Sequence, residues 1–164
     1  MRSKIVFGFV LMLASVAAFG QGEKPGLRKE MEAYYAKMDA VIMKNDLKTF
    51  FAMFHPNYYV SDLDGKRMTF PEFKQMIGGM ANNPGMKLVS HKSIIKNVQL
   101  QDTEAVVWLE NQMAWKEKSG NGWVTKKLTT RWAENLMPSG SSWRFKSSQQ
   151  LMTNEPWSFK TNGG

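Results

Sequence analysis

Apolar side chains in the first half of the chain recur every three or four residues, which is the spacing of helices with one buried face. The first stripe consists of Leu27, Met31, Tyr34, Met38 and Val41. Asp46 stands at an N-cap position, before a second stripe made of Leu47, Phe50, Phe51 and Phe54. Because Pro56 disfavours helical backbone at His55, the second helix is expected to end there.

A short strand and a third helix follow in the pattern. Residues 57–62 have strand character, and Asp64 with Gly65 forms a dipeptide typical of a hairpin turn. Thr69 and Glu72 have the spacing of a capping box, which predicts that a helix begins there. The apolar stripe of this third helix comprises Phe73, Met76, Ile77 and Met80.

The rest of the chain lacks the helical period and shows four long runs of strand character. These runs cover residues 86–100, 103–118, 122–137 and 142–152. The short connections between them predict hairpin turns and antiparallel pairing. Helices in one block and strands in the next predict an α+β architecture, and strands of this length must twist and curl. The predicted fold is a cone in which three N-terminal helices pack in a curved antiparallel sheet and leave a concavity.

Side-chain alternation along the strands predicts which residues line this concavity. The apolar residues of the inward faces are Ala105, Val107, Leu109, Met113 and Trp115, then Val124, Leu128, Trp132 and Leu136, then Trp143, Phe145 and Leu151. The polar residues of these faces are Asn111, Lys126, Thr130, Glu134, Ser147 and Gln149. Polar positions on an apolar face are typical of a ligand cavity. In the first long strand the parity of the apolar residues changes, which predicts a bulge near Ser93 or Ile94.

The N-terminus has the pattern of a secretory signal peptide. Arg2 and Lys4 precede an apolar run at 5–18 that is too short for a membrane span, and small residues follow. Cleavage is expected after Gly20, with Ala18 as the alternative. The chain then divides into a signal peptide at 1–20, a flexible leader at 21–26, a domain at 27–152 and a C-terminal tail at 153–164. The mature protein is expected to be secreted or periplasmic, without a membrane segment.

Composition and charge exclude several classes of protein. The 164 residues are 43% hydrophobic and 22% charged, which fits one globular domain and excludes a collagen or a disordered tail. The absence of cysteine excludes disulfide frameworks and thiolate catalysis. The net charge of +8 comes from cations that alternate with apolar residues, so solvated strand faces explain it better than a nucleic-acid groove. With two separated histidines and no phosphate-binding glycine loop, neither a metal nor another cofactor is expected.

Three ionisable residues are candidates for catalysis. Asp62 is a candidate general base, although an aspartate three residues before a turn glycine often caps the turn. His91 is a candidate proton shuttle, or else an ordinary histidine of a strand. Glu134 is a candidate acid because Trp132 and Leu136 flank it on the apolar face, whereas Arg131 has the opposite parity.

Five further residues are candidates for ligand contact. They are Tyr58, Asn111, Trp115, Trp132 and Gln149. Trp115 and Trp132 are placed to form a stacking wall for a ring-shaped ligand, with plain core packing as the alternative. Tyr58 shares the parity of Asp62, and Asn111 and Gln149 are polar positions on inward faces.

Several short stretches, taken in order, resemble the nuclear-transport-factor-2-like superfamily, in its SnoaL-like bacterial branch. The matching stretches are Asn45 to Phe54, Tyr58 to Gly65, Arg131-Trp132 and Ser142 to Phe145, and the resemblance covers about residues 28–152. It implies a cone-shaped α+β fold with a pocket between helices and sheet, often dimeric through the outer sheet face. It does not imply one function, because the superfamily includes isomerases, cyclases, dehydratases and noncatalytic binding domains.

Comparison with the ketosteroid isomerases of this superfamily implies roles for particular positions. Asp62 falls where their catalytic base would be, and Glu134 falls near the acid that holds the oxyanion. Met38 occupies the position of their tyrosine, while Tyr34 and Tyr35 lie about one turn earlier.

Three functions remain open on the sequence. The first is an exported pocket protein that binds a small, largely apolar molecule without catalysis. The second is a proton-transfer enzyme, an isomerase, dehydratase or cyclase in which Asp62 abstracts a proton and His91 or Glu134 assists. The third is a dimerisation or protein-interaction module that uses the outer sheet face, where Val106 and Trp108 alternate with charged residues.

Overall fold

The computed structural model describes residues 26–153. The predicted signal peptide and nearly all of the predicted leader and tail lie outside these residues. The helices are α1 (Leu27–Met43), α2 (Leu47–Ala52) and α3 (Phe70–Ala81), and the strands are β1 (Phe54–Ser61), β2 (Arg67–Thr69), β3 (Met86–Gln101), β4 (Glu104–Ser119), β5 (Gly122–Ser139) and β6 (Ser142–Thr153). The predicted α+β class is confirmed. No helix within this part of the chain has the length and apolar character needed to cross a membrane.

The helices begin where the sequence signals place them. All five residues of the predicted α1 stripe are buried. The Asp46 carboxylate accepts a hydrogen bond from the backbone N–H of Thr49, and Thr69 with Glu72 forms the predicted capping box. Helix α2 ends at Ala52, before the end predicted at His55, because Phe54 already belongs to β1 and is the cross-strand partner of Phe145.

One mixed sheet of six strands wraps the helices in the order β2-β1-β6-β5-β4-β3. Strands β3 to β6 form the predicted antiparallel meander, and β1 with β2 forms the predicted hairpin. The predicted antiparallel pairing holds for these strand pairs, but the sheet is mixed because β1 pairs with β6 in parallel. The meander returns β6 to the edge of β1 in the same direction, a pairing that no local turn signal could indicate.

Bulges decide which residues face the helices. In β3 the register shifts at Val89 and at Lys96, so the predicted bulge exists but lies two residues beyond Ile94. In β6 the register shifts at Lys146 and Leu151. Each shift reverses the alternation beyond it.

The inward face of the sheet is closely packed at one end. Val98, Val107, Leu136 and Phe145 are at most 1% exposed, and aromatic rings from α1 and β1 pack against Phe145. Further along the same face the side chains are half-buried: His91, Ser93, Asn111, Met113, Trp115, Leu128 and Trp132. The apolar core therefore grades into a more open and more polar region, beneath the second half of α1.

Candidate functional site

A buried carboxyl group lies where the packed core meets the open region. Glu134 on β5 is 8% exposed and accepts hydrogen bonds from two hydroxyl groups, one of which in turn accepts a hydrogen bond from a third. Tyr35 on α1 donates a hydrogen bond to Glu134 Oε2. Ser148 on β6 donates to Glu134 Oε1 over 3.1 Å, and Tyr58 on β1 donates to the Ser148 hydroxyl over 2.9 Å. These four residues are called the Glu134 cluster below.

The protonation of Glu134 is set by opposing effects. Burial in the core raises the pKa of Glu134, while hydrogen bonds from Tyr35 and Ser148 and the charge of His91 lower it, and the balance brings the pKa to about 7. Burial and the nearby charge of Glu134 raise the pKa values of Tyr35 and Tyr58. The tyrosines therefore stay protonated donors, whereas Glu134 can gain or lose a proton near neutral pH.

A second polar group joins α1 to β3 in the half-buried region. His91 Nδ1 lies 2.9 Å from Asp39 Oδ1. Ser93 donates to the same carboxylate twice, from its hydroxyl to Oδ1 over 2.7 Å and from its backbone N–H to Oδ2 over 2.9 Å. The side-chain amide of Asn111 lies 3.0 Å from the Ser93 hydroxyl. Asp39 and His91 are called the dyad below.

The hydrogen bonds of Asp39 determine where the proton of His91 sits. Burial raises the pKa of Asp39, but hydrogen bonds from His91 and Ser93 outweigh this effect and bring it below its usual value. An ionised carboxylate only accepts hydrogen bonds, so His91 must donate from Nδ1. Within residues 26–153, His91 Nε2 has no hydrogen-bond partner. A neutral His91 therefore carries its free lone pair on Nε2, as a general base requires.

Helix α1 brings the two polar groups together. Tyr35 and Asp39 are four residues apart and so lie on the same side of the helix, one above the other. Tyr35 reaches Glu134 and Asp39 reaches His91. The charge of His91 acts on Glu134. The dyad and the Glu134 cluster therefore contact successive turns of α1, in one region between this helix and the sheet.

Asp62 does not contribute its carboxylate to this site. It has the predicted parity and is 4% exposed, but its Oδ1 accepts hydrogen bonds from the backbone N–H groups of Asp64 and Lys66, over 3.0 and 2.8 Å. Asp62 therefore caps the β1–β2 turn, as in the alternative interpretation of the sequence. Its Oδ1 atom is thus engaged by the turn, in contrast to the expectation of a free abstracting base.

Replacing Asp62 by alanine is expected to destabilise the protein by about 1–3 kcal/mol, since two partly buried backbone donors lose a charged acceptor. Urea unfolding of Asp62→Ala would measure this loss. Asp64→Ala is the matched control, because Asp64 lies in the same turn with an exposed side chain. Equal stability of the two variants would contradict the capping role.

Gln149 lies on the opposite face of the sheet from Glu134, so its predicted position on the inward face is wrong. It pairs with Ala133, and its side chain donates to the backbone carbonyls of Asp62 and Gln150. The bulge at Lys146 reverses the alternation of β6, so that Ser148 and Gln150 face inward in place of Ser147 and Gln149.

The remaining candidate residues lie on the inward face with differing contacts. Tyr58 belongs to the Glu134 cluster, and Asn111 borders the dyad. Trp132 is half-buried and donates from Nε1 to the Thr130 hydroxyl over 2.7 Å. Trp115 is half-buried, and its Nε1 is buried without a hydrogen-bond partner. Trp115 and Trp132 make no ring contact with each other among the described aromatic pairs, so they line the region separately.

Four residues of this site were not singled out by the sequence: Tyr35, Asp39, Ser148 and Gln150. The expected tyrosine position holds Met38, yet Tyr35 one turn earlier reaches the acid. The sequence could have indicated Asp39, because this acidic residue lies one helical turn beyond Tyr35, beside the apolar stripe of α1. The described residues contain no group of three or more His, Asp or Glu side chains placed to hold a metal ion.

Solved structures share the fold of this chain at low sequence identity. A ketosteroid isomerase-like protein from Erwinia carotovora atroseptica is 13% identical, with 76% of this chain and 95% of that chain covered and a TM-score of 0.57. A candidate scytalone dehydratase from Novosphingobium aromaticivorans is 14% identical, with 77% and 85% covered and a TM-score of 0.57. A nuclear-transport-factor-2-like protein from Cytophaga hutchinsonii is 13% identical, with 76% and 93% covered and a TM-score of 0.54.

These comparisons establish the fold alone. No protein-family model matches the sequence, and no curated protein matches it. The predicted cone-shaped fold, that of nuclear-transport-factor-2-like proteins, is confirmed. Proteins with this fold include isomerase-like and dehydratase-like members. The fold therefore does not identify a reaction, and any reaction must be inferred from the residues of the site.

Proposed function

We propose that this chain, which has the nuclear-transport-factor-2-like fold, is a proton-transfer enzyme of the isomerase or dehydratase type. Its substrate is a small, largely apolar carbonyl compound. The observation that carries the proposal is the dyad: Asp39 holds His91 through Nδ1, and Nε2 is left without a partner in the described chain. A noncatalytic pocket has no need of a histidine oriented in this way.

The first step of the proposed reaction is removal of a proton from the carbon next to the carbonyl group. His91 Nε2 takes the proton, and Asp39 stabilises the imidazolium that forms. The electron pair of the broken C–H bond moves onto the carbonyl oxygen and gives an enolate. Glu134 in its protonated form donates a hydrogen bond to this oxygen, and the low dielectric around the buried group strengthens the interaction.

The second step depends on what the substrate carries. In an isomerisation, His91 returns the proton to the far carbon of the neighbouring double bond, and the double bond moves into conjugation. In a dehydration, the hydroxyl group on the next carbon leaves with a proton as water. Because the pKa of Glu134 is about 7, a large fraction of this group is protonated near neutral pH and can supply that proton.

The lining of the open region supports a small apolar substrate. Met113, Trp115, Leu128 and Trp132 are half-buried around the two polar groups. Apolar walls with few convergent polar groups are typical of small-molecule sites. Export of the mature chain and a homodimer through the outer sheet face remain part of the proposal, and Trp108 on that face is half-buried.

The test is a panel of cyclic β,γ-unsaturated ketones and β-hydroxy ketones, all of which become conjugated enones with strong ultraviolet absorbance. We expect the wild-type protein to form enone from at least one member. His91→Gln should lower this turnover by a factor of about 100 or more, because the base is lost. His55→Gln is the matched control, since His55 is the only other histidine of the chain and lies on β1 outside the site.

Two outcomes would overturn the proposal. One is turnover that is the same in His91→Gln as in the wild type. The other is binding of panel compounds without any turnover, which would favour the noncatalytic pocket protein.

A further inference from the structure

Gln150 is a buried amide with both of its polar atoms unpartnered. The residue is 1% exposed, and neither Nε2 nor Oε1 has a hydrogen-bond partner. Its backbone position is well defined, because β6 pairs it with Trp132 on β5. Since the bulge at Lys146 turns it inward, Gln150 stands on the same face as Ser148 and Glu134, one step toward the open region.

This amide differs from the other buried polar side chains around it. The Glu134, Ser148 and Tyr58 side chains are all paired with one another or with Tyr35. An amide removed from water without partners destabilises a folded protein, and buried polar groups are therefore nearly always hydrogen-bonded. A donor and an acceptor left free at one point indicate a partner that is not part of the folded chain.

We propose that Gln150 is the group that recognises the substrate, by two hydrogen bonds to a ligand that presents an acceptor and a donor side by side. Nε2 donates to a ligand carbonyl, and Oε1 accepts from a neighbouring N–H or O–H. Ligands of this class are cyclic cis-amides and hydroxyl-bearing carbonyl compounds. The proposal rests on the proposed function for its site and adds the chemistry of the ligand.

Other ligand classes satisfy this amide only in part. A simple ketone accepts from Nε2 and leaves Oε1 unpaired, and a carboxylate does the same while also placing a charge beside Glu134. A hydrocarbon leaves both atoms unpaired. Trp132, the cross-strand neighbour, is half-buried and offers an apolar surface to the ring of the ligand.

Calorimetric titration with δ-valerolactam tests this recognition without requiring turnover. The lactam holds its N–H and carbonyl side by side, and N-methyl-δ-valerolactam lacks only the donor. We expect the wild-type protein to bind the lactam about tenfold or more tightly than its N-methyl form, and Gln150→Met to bind the lactam about ten- to a hundredfold more weakly than the wild type. Gln99→Met is the matched control, because Gln99 lies on the other face of the sheet, on β3.

A thermal scan of the ligand-free protein gives an independent readout. Methionine has nearly the shape of glutamine without its hydrogen-bonding groups, so Gln150→Met should raise the midpoint of unfolding. A lower midpoint would mean that the amide is already paired, by ordered water, and would overturn the proposal. Absence of lactam binding to the wild type, or equal binding by wild type and Gln150→Met, would also overturn it. Lactam binding requires no turnover, so failure of the catalytic proposal would be seen separately in the ketone panel.

Discussion

Asp39→Asn is expected to lower kcat by a factor of about 10²–10⁴ on any compound that the wild-type protein turns over, with little change in KM. The reason is the fixed backbone N–H of Ser93, which donates to Oδ2 of Asp39. In the variant the amide oxygen must accept this hydrogen bond, so the amide NH₂ group faces His91 Nδ1. His91 must then accept at Nδ1 and carry its proton on Nε2, where it cannot act as a base.

Steady-state kinetics of Asp39→Asn beside Asp46→Asn would measure this effect. Asp46 is an exposed N-cap outside the site, and asparagine caps helices as well as aspartate does, so the control should keep its activity. A kcat of Asp39→Asn within threefold of the wild type would contradict the role of Asp39 as the positioning residue of His91.

In the wild type, titration of Glu134 is expected to change the free energy of unfolding by about 3 kcal/mol between acidic and neutral pH, and Glu134→Gln should abolish this change. The figure follows because each unit of difference between the folded and unfolded pKa values corresponds to about 1.4 kcal/mol. The folded-state pKa of Glu134 is raised from 4.5 to about 7, so the folded protein holds a proton that the unfolded chain has released. The stabilisation is fully present below about pH 4.5 and is lost as the pH rises through about 7. Glutamine does not titrate, so the variant lacks this loss.

Urea unfolding of the wild type and Glu134→Gln between pH 4 and pH 8 would measure the difference. As the pH rises, the free energy of unfolding of Glu134→Gln should increase relative to that of the wild type. Glu117→Gln, which changes an exposed carboxylate near the end of β4, should run parallel to the wild type. Parallel curves for Glu134→Gln as well would show that Glu134 titrates alike in the folded and unfolded chains.

Local patterns were sufficient to predict most of the fold. The α1 stripe, the Asp46 cap and the Thr69–Glu72 capping box each depend on residues within one or two turns, and all three formed as predicted. The parallel pairing of β1 with β6 joins segments about ninety residues apart, so nothing near either strand could indicate it. The end of α2 was misplaced for a related reason, since packing of Phe54 against Phe145 outweighed the local helix signal.

The site was predicted only in part because bulges control which residues face inward. Alternation correctly placed Glu134 inward, on a strand that pairs regularly with β4. On β6 the extra residue at Lys146 exchanged the two faces, so Gln149 was chosen where Gln150 and Ser148 were needed. Alternation alone cannot locate a bulge when both faces carry polar residues, as they do here.

The sequence singled out His91, but it did not identify the hydrogen-bond partner of His91. The sequence offered Asp62 and Glu134 as the acids of the site, both on strands. The partner of His91 is Asp39 on α1, and the long-range packing of α1 across β3 decides this pairing. An acid beside the apolar stripe of α1, four residues beyond Tyr35, is the signal that could have identified it.

Nitrogen-15 NMR of the two imidazole rings, at a pH where both are neutral, tests the central claim most directly and needs no substrate. His55 Nδ1 accepts a hydrogen bond from the backbone N–H of Asn57, so the proton of His55 belongs on Nε2, and the two rings should show opposite tautomers. The account predicts that His91 has its proton on Nδ1 and a bare Nε2. A proton on Nε2 of His91 in the wild-type protein would contradict it.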